Sequence, residues 1–93
     1  MVTLDKFLKA WQNGKSIDAL AQEQPPIVGQ DFDWMKGGIL TGYRVLGPGV
    51  AQDANLRVEV ELELGDGSGK GQTKKVVYLV GTDRALTVFR AFD

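Results

Sequence analysis

The chain has 93 residues, 43% hydrophobic and 25% charged, with a formal net charge of −1. That length predicts one domain around one core, and the composition is that of a globular chain rather than a disordered one. Cysteine and histidine are both absent. Their absence excludes disulfides, thiolate metal sites and catalysis by Cys or His, and the near-neutral charge argues against a nucleic-acid partner, which needs a basic face.

The opening segment "TLDKFLKAWQNG" predicts a helix. Thr3 is placed to cap it and Asp5 suits the first turn. Leu4, Phe7, Leu8 and Trp11 recur at i, i+3, i+4 and i+7 as one apolar stripe, and Gly14 supplies the stop. This opening has no basic stretch leading into an apolar core, so no signal peptide is read and the expected location is cytoplasmic. No run reaches the roughly 18 apolar residues of a membrane span.

A second helical piece, "IDALAQEQ", is capped by Ser16 and ended by Pro25-Pro26. "DFDWMKGG" reads as a short turn leading into a strand. From Gly38 the period changes to two. "GILTGYRVLG" is a first strand, "PGVAQDAN" a turn, "LRVEVELEL" a second strand, "TKKVVYLVG" a third and "LTVFRAF" a fourth. Short connections imply an antiparallel meander. The expected fold is α+β, with the N-terminal helix packed on one face of a curled four-stranded antiparallel sheet.

Helix followed by meander resembles the cystatin-like group, which includes the nuclear-transport-factor-like domains. "DFDWMKGGILTGYRVLGPG" and the later "VVYLVGT" are similar to small bacterial domains of this type. The resemblance implies a hollow between helix and sheet, where enzymes of the nuclear-transport-factor-like group use Asp, Tyr or His. Asp31, Asp33, Trp34 and Tyr43 are the residues this chain offers as a ligand-binding lining. A carboxylate desolvated against Trp34 has the character of a base; the plainer reading is that Asp31 or Asp33 caps a helix. Trp11, Trp34, Phe7, Phe32, Phe89 and Phe92 either line that hollow or fill the core. A cystatin-type inhibitor is not supported: "QPPIVG" has the wedge letters at the wrong spacing and precedes the sheet, and no Pro-Trp pair follows.

The loop "GDGSGKGQ" carries four glycines but matches no phosphate loop. Leu64 stands where the first glycine belongs, Gly71 follows Gly69-Lys70, and the loop joins two strands rather than a strand and a helix. A calcium loop fails as well, because Lys70 falls at a ligand position and Val77 replaces the bidentate Glu. It reads as a hairpin turn. Glu59, Glu61 and Glu63 follow Arg57 at about 7 Å intervals on the polar side of their strand, a solvated face rather than a metal set.

If Leu64 pairs with Thr73, then Glu63 faces Lys74, Glu61 faces Val76, Glu59 faces Tyr78 and Arg57 faces Val80. Val76, Tyr78 and Val80 then lie outward beside Leu86 and Val88, and one helix cannot cover both faces of these strands. The expectation is a homodimer through that patch, in a non-catalytic interaction or accessory module. A small-molecule binder or minor enzyme using the hollow is the alternative. No catalytic residue, metal or cofactor is assigned.

Overall fold

The structure is a computed structural model that describes residues 2–52, 55–65, 71–82 and 85–91. In chain order its elements are α1 (Val2–Gln12), α2 (Ile17–Ala21), β1 (Ile27–Gln30), α3 (Phe32–Met35), β2 (Ile39–Val45), β3 (Val50–Gln52), β4 (Asn55–Gly65), β5 (Gly71–Gly81) and β6 (Leu86–Arg90). The domain is α+β, a short N-terminal helix against a curled mixed sheet.

α1 buries Leu4, Phe7, Leu8 and Trp11, the stripe that its periodicity places on one face. Thr3, expected as its cap, lies inside the helix instead. Gly14 ends it at φ +81°. The Lys15 N–H donates to the Ala10 carbonyl and the Gly14 N–H to Trp11, the paired bonds of a helix that closes on a left-handed residue. Ser16 caps α2 by accepting from the Ala19 N–H at 3.2 Å.

The sheet differs from the expected four-stranded antiparallel meander. It has six strands among the described residues, in the order β1-β6-β5-β4-β2 with β3 also pairing β4. β1 runs parallel to β6, with Ile27 beside Leu86 and Gln30 beside Phe89. Its four residues follow two prolines and are too few to show a period of two. Gly29 adds to the disguise but has a packing reason. A Cβ there would lie 2.2 Å from the Phe7 ring and 2.9 Å from the Val88 carbonyl oxygen, so α1 reaches the sheet where this strand has no side chain. β3 occupies residues read as turn, and its three side chains are all exposed.

The β4–β5 register is also one residue away from the expected one. Leu64 faces Gln72, Glu63 faces Thr73, Glu59 faces Val77 and Val58 faces Tyr78. A slip of one residue exchanges the faces of a strand. This register aligns Val58, Val60 and Leu62 with Val76, Tyr78 and Val80 in a single core under α1. Gly65 and Gly71 still pair, so strand leads to strand as the hairpin reading requires. Asp66, Ser68, Lys70 and Phe92 lie outside the described residues. No helix among the described residues is long and apolar enough to cross a membrane.

Candidate functional site

Asp31 follows β1 and has an extended backbone, so its side chain turns back over the first turn of α3. Its Oδ1 accepts from the Asp33 N–H at 2.9 Å and the Trp34 N–H at 3.1 Å, the capping role that Asp before a turn favours. The same carboxylate is fully buried and receives two more donors. The Tyr78 hydroxyl, from the middle of β5, donates to Oδ2. Arg90, from the end of β6, donates through Nη1 to Oδ1 at 3.3 Å and to Oδ2 at 3.2 Å.

Arg90 Nη1 also reaches Asp33 Oδ2 at 2.9 Å, and Lys74 Nζ reaches that oxygen at 3.2 Å. Two carboxylates, from the cap and the first turn of α3, therefore meet two cations and a phenol from β5 and β6. Burial raises the Asp33 carboxyl, but the hydrogen bonds and charges of Arg90 and Lys74 outweigh it and hold the group below its ordinary value of 3.8. Burial first, then the charge of Asp31, pushes the Tyr78 phenol well above its ordinary value, so it stays a neutral donor. Burial opposes the charge of Arg90, yet Asp33 and Asp31 raise its pKa and fix it as a cation.

A carboxylate accepts about four hydrogen bonds, and Asp31 has that capacity committed inside the protein. Its chemistry here is to hold, tying α3 to the last two strands.

The Asp33 shift has a measurable consequence. Its folded pKa lies below the unfolded one, so its contribution to stability is complete above the unfolded value and lost as pH falls through the folded one. Urea stability is expected to drop as pH falls through the ordinary carboxylate value of 3.8 and below it, and Asp33→Asn to flatten that slope. Identical slopes in the two proteins would remove Asp33 from the acid response.

Trp34 stacks on Trp11 at a centroid distance of 5.5 Å, and Phe7 meets Trp34 edge-on at 5.0 Å. The two indoles donate to Gly38 and Lys15 carbonyls. This cluster fills the space under α1 where a hollow was expected. Tyr43 stands apart from Asp31 and Asp33; its hydroxyl donates to Asp5 on α1 at 3.3 Å. Burial, together with the Asp5 carboxylate, raises its pKa. The structure thus joins Asp31, Asp33 and Trp34, leaves Tyr43 out, and adds Tyr78, Arg90 and Lys74.

The residues expected to point outward do not. Val76, Tyr78, Val80 and Val88 are buried, and Leu86 packs against the same core. The one-residue shift of register is the reason. The alternate positions take the outer face: Leu79 on β5, Thr87 and Phe89 on β6 and Val28 on β1, while Val77 shares that parity but is buried. Phe89 is 38% exposed and Val28 49%. Both faces of these strands therefore carry apolar residues, with Val28 and Phe89 the exposed ones on the outer side.

An open depression of about 510 Å³ lies at the end of β1, between α2, α3 and Phe89; Ser16, Gln30, Trp34 and Met35 form much of its wall. It contains none of Asp31, Asp33 and Tyr43. Among the described residues, no cluster of His, Cys, Asp and Glu is arranged to hold a metal ion. Comparison of the chain with known protein families, curated proteins and solved structures finds no match.

Proposed function

We propose that this domain is a non-catalytic interaction module that self-associates through the outer face of β5 and β6. The observation that carries the reading is the outward pair Leu79 and Phe89, which sit directly opposite each other on neighbouring strands. Val28 extends the apolar surface across the edge strand, while α1 and α2 lie on the other side of the sheet. An apolar patch bordered by charge is the usual mark of an association surface. The resemblance of the helix and curled sheet to cystatin-like domains is consistent with such an accessory role.

Sedimentation at tens of micromolar is expected to give a dimer, and Phe89→Glu, which places a charge in the patch, to give a monomer with an unchanged far-ultraviolet circular dichroism spectrum. A monomeric parent protein, or a dimer undisturbed by Phe89→Glu, would refute the proposal.

The depression walled by Trp34, Met35 and Phe89 supports a second reading, a binder of small apolar molecules. Its lining suits an apolar group with a polar end directed at Ser16, Asp18 or Gln30. Phe89 belongs to both surfaces, so occupancy of the depression and association of the sheet faces would compete.

A further inference from the structure

The depression at the end of β1 combines an apolar wall with a single charge. Ile17 from α2, Trp34 and Met35 from α3 and Phe89 from β6 supply the apolar part. Met35 and Phe89 are both exposed, so large apolar side chains stand there in contact with water. Trp34 offers no hydrogen-bond donor to the depression, because its indole N–H is committed to the Lys15 carbonyl at 3.1 Å. Asp18, in the first turn of α2, is the one charged group among the described residues of the lining.

The surroundings leave that charge unmatched. Among the described residues no cation pairs with the Asp18 carboxylate. The cations that adjoin the lining in sequence are placed elsewhere. Lys15 pairs with Glu23 at 3.5 Å, Arg90 pairs with Asp31 and Asp33, and Lys36 does not reach the lining. The neutral polar groups do not replace a cation. Ser16 Oγ already accepts from the Ala19 N–H, and Gln30 is an exposed amide.

Resting on the reading of this depression as a small-molecule site, we infer that its ligand is a cationic amphiphile, an aryl or alkyl group carrying a protonated amine. The apolar body lies against Trp34, Met35 and Phe89, and the ammonium faces the Asp18 carboxylate. The Ser16 hydroxyl and the Gln30 carbonyl oxygen are acceptors for its remaining N–H groups.

The other kinds of polar end fit less well. A carboxylate or phosphate would meet Asp18 as a like charge and find no Lys or Arg in the lining to offset it. A hydroxyl could bond Ser16 or Gln30 but would leave the charge of Asp18 unused. An ammonium gains an attraction that strengthens where apolar walls hold water back, and aromatic side chains add to it. The volume of about 510 Å³ falls within the roughly 300–1,000 Å³ of small-ligand sites. Met35, unbranched and polarizable, lets such a wall adjust to bodies of different shape.

The test uses three probes with one skeleton: phenylpropylamine, phenylpropanol and phenylpropanoate. Each is titrated into the full isotope-labelled chain, and the backbone amide shifts of Asp18, Gln30 and Met35 locate the binding. The amine is expected to bind about fivefold more tightly than the alcohol, the size of one partly exposed ion pair, and the anion most weakly. Asp18→Asn should bring the amine down to the affinity of the alcohol and leave the alcohol unchanged, while Asp18→Glu keeps the preference. Added salt should weaken the amine alone.

Equal affinities for amine and alcohol, or an amine preference that survives Asp18→Asn, would overturn the cationic ligand while leaving an apolar-ligand site standing. If none of the three probes moves those amides at millimolar concentration, the depression is not a ligand site, and both readings fall.

Discussion

Asp31→Ala is expected to destabilise the domain by about 3–5 kcal/mol, the usual result of deleting one partner from a buried ion pair. The change removes the α3 cap and the acceptor of the Tyr78 hydroxyl, and it leaves Arg90 with Asp33 as its remaining carboxylate in the network. Small domains have about 5–15 kcal/mol in total, so this variant should sit close to its unfolding threshold at room temperature. With a urea slope of about 1–3 kcal/mol per molar, the midpoint should move down by about 2 M.

Asp31→Asn separates the two roles. Asparagine caps as well as aspartate does, so whatever stability Asp31→Asn loses is owed to the charge facing Arg90 and Tyr78. A loss under about 1 kcal/mol for Asp31→Ala would mean that the network is not what holds α3 in place, since exposed pairs have that value.

Phe7→Ala should cost about 3–5 kcal/mol, the range for truncating a buried aromatic residue. Its ring is fully buried, meets Trp34 and Tyr78 edge-on, and rests over the bare backbone of Gly29. That last contact makes the prediction sharper. Gly29→Ala alone forces its new methyl into the Phe7 ring, and overpacking of this kind costs about 1–3 kcal/mol. In the Phe7→Ala background the obstructing ring is gone and the methyl enters vacated space. The second change should then cost clearly less, although the Val88 carbonyl oxygen remains close. Additive losses in a double-mutant cycle would show that helix and strand do not meet at this point.

Much of this arrangement was legible in the sequence. The stripe of α1, the Gly14 stop, the Ser16 and Asp31 caps and the alternation of β4 follow from spacing and from the hydrogen-bonding habits of short polar side chains. Two things were not. The register of β5 against β4 depends on how the glycine loop closes, and alternation alone gives no absolute position. Both faces of "VVYLVG" are apolar, so either parity looks acceptable until the partner strand is fixed. β1 was hidden because it pairs with a segment almost sixty positions later, and no local pattern reports a parallel partner.

The cluster around Asp31 was half visible. Asp31 and Asp33 stood out beside Trp34, but their cations did not. A signal existed in β6, where Leu86 and Val88 share a parity with Arg90, so a charged residue continues an apolar row. A cation on the core side of a strand needs an acid. Lys74 and Tyr78 share the corresponding row of β5 and supply the remaining donors. Closeness in sequence sets Tyr43 beside the aspartates, yet it lies within β2 and meets α1 instead.

The parallel pairing of β1 with β6 also governs the order in which the molecule is assembled. Asp31 and Arg90 are separated by 59 positions, so the clasp on α3 cannot close until β6 has been synthesised. Loop closure over that distance is slow, and contacts of this range set the pace of folding. The hairpin of β4 and β5 is a local event by comparison. The anchoring of α3 therefore awaits β6, whereas α1 has β2 to pack against well before that strand is made.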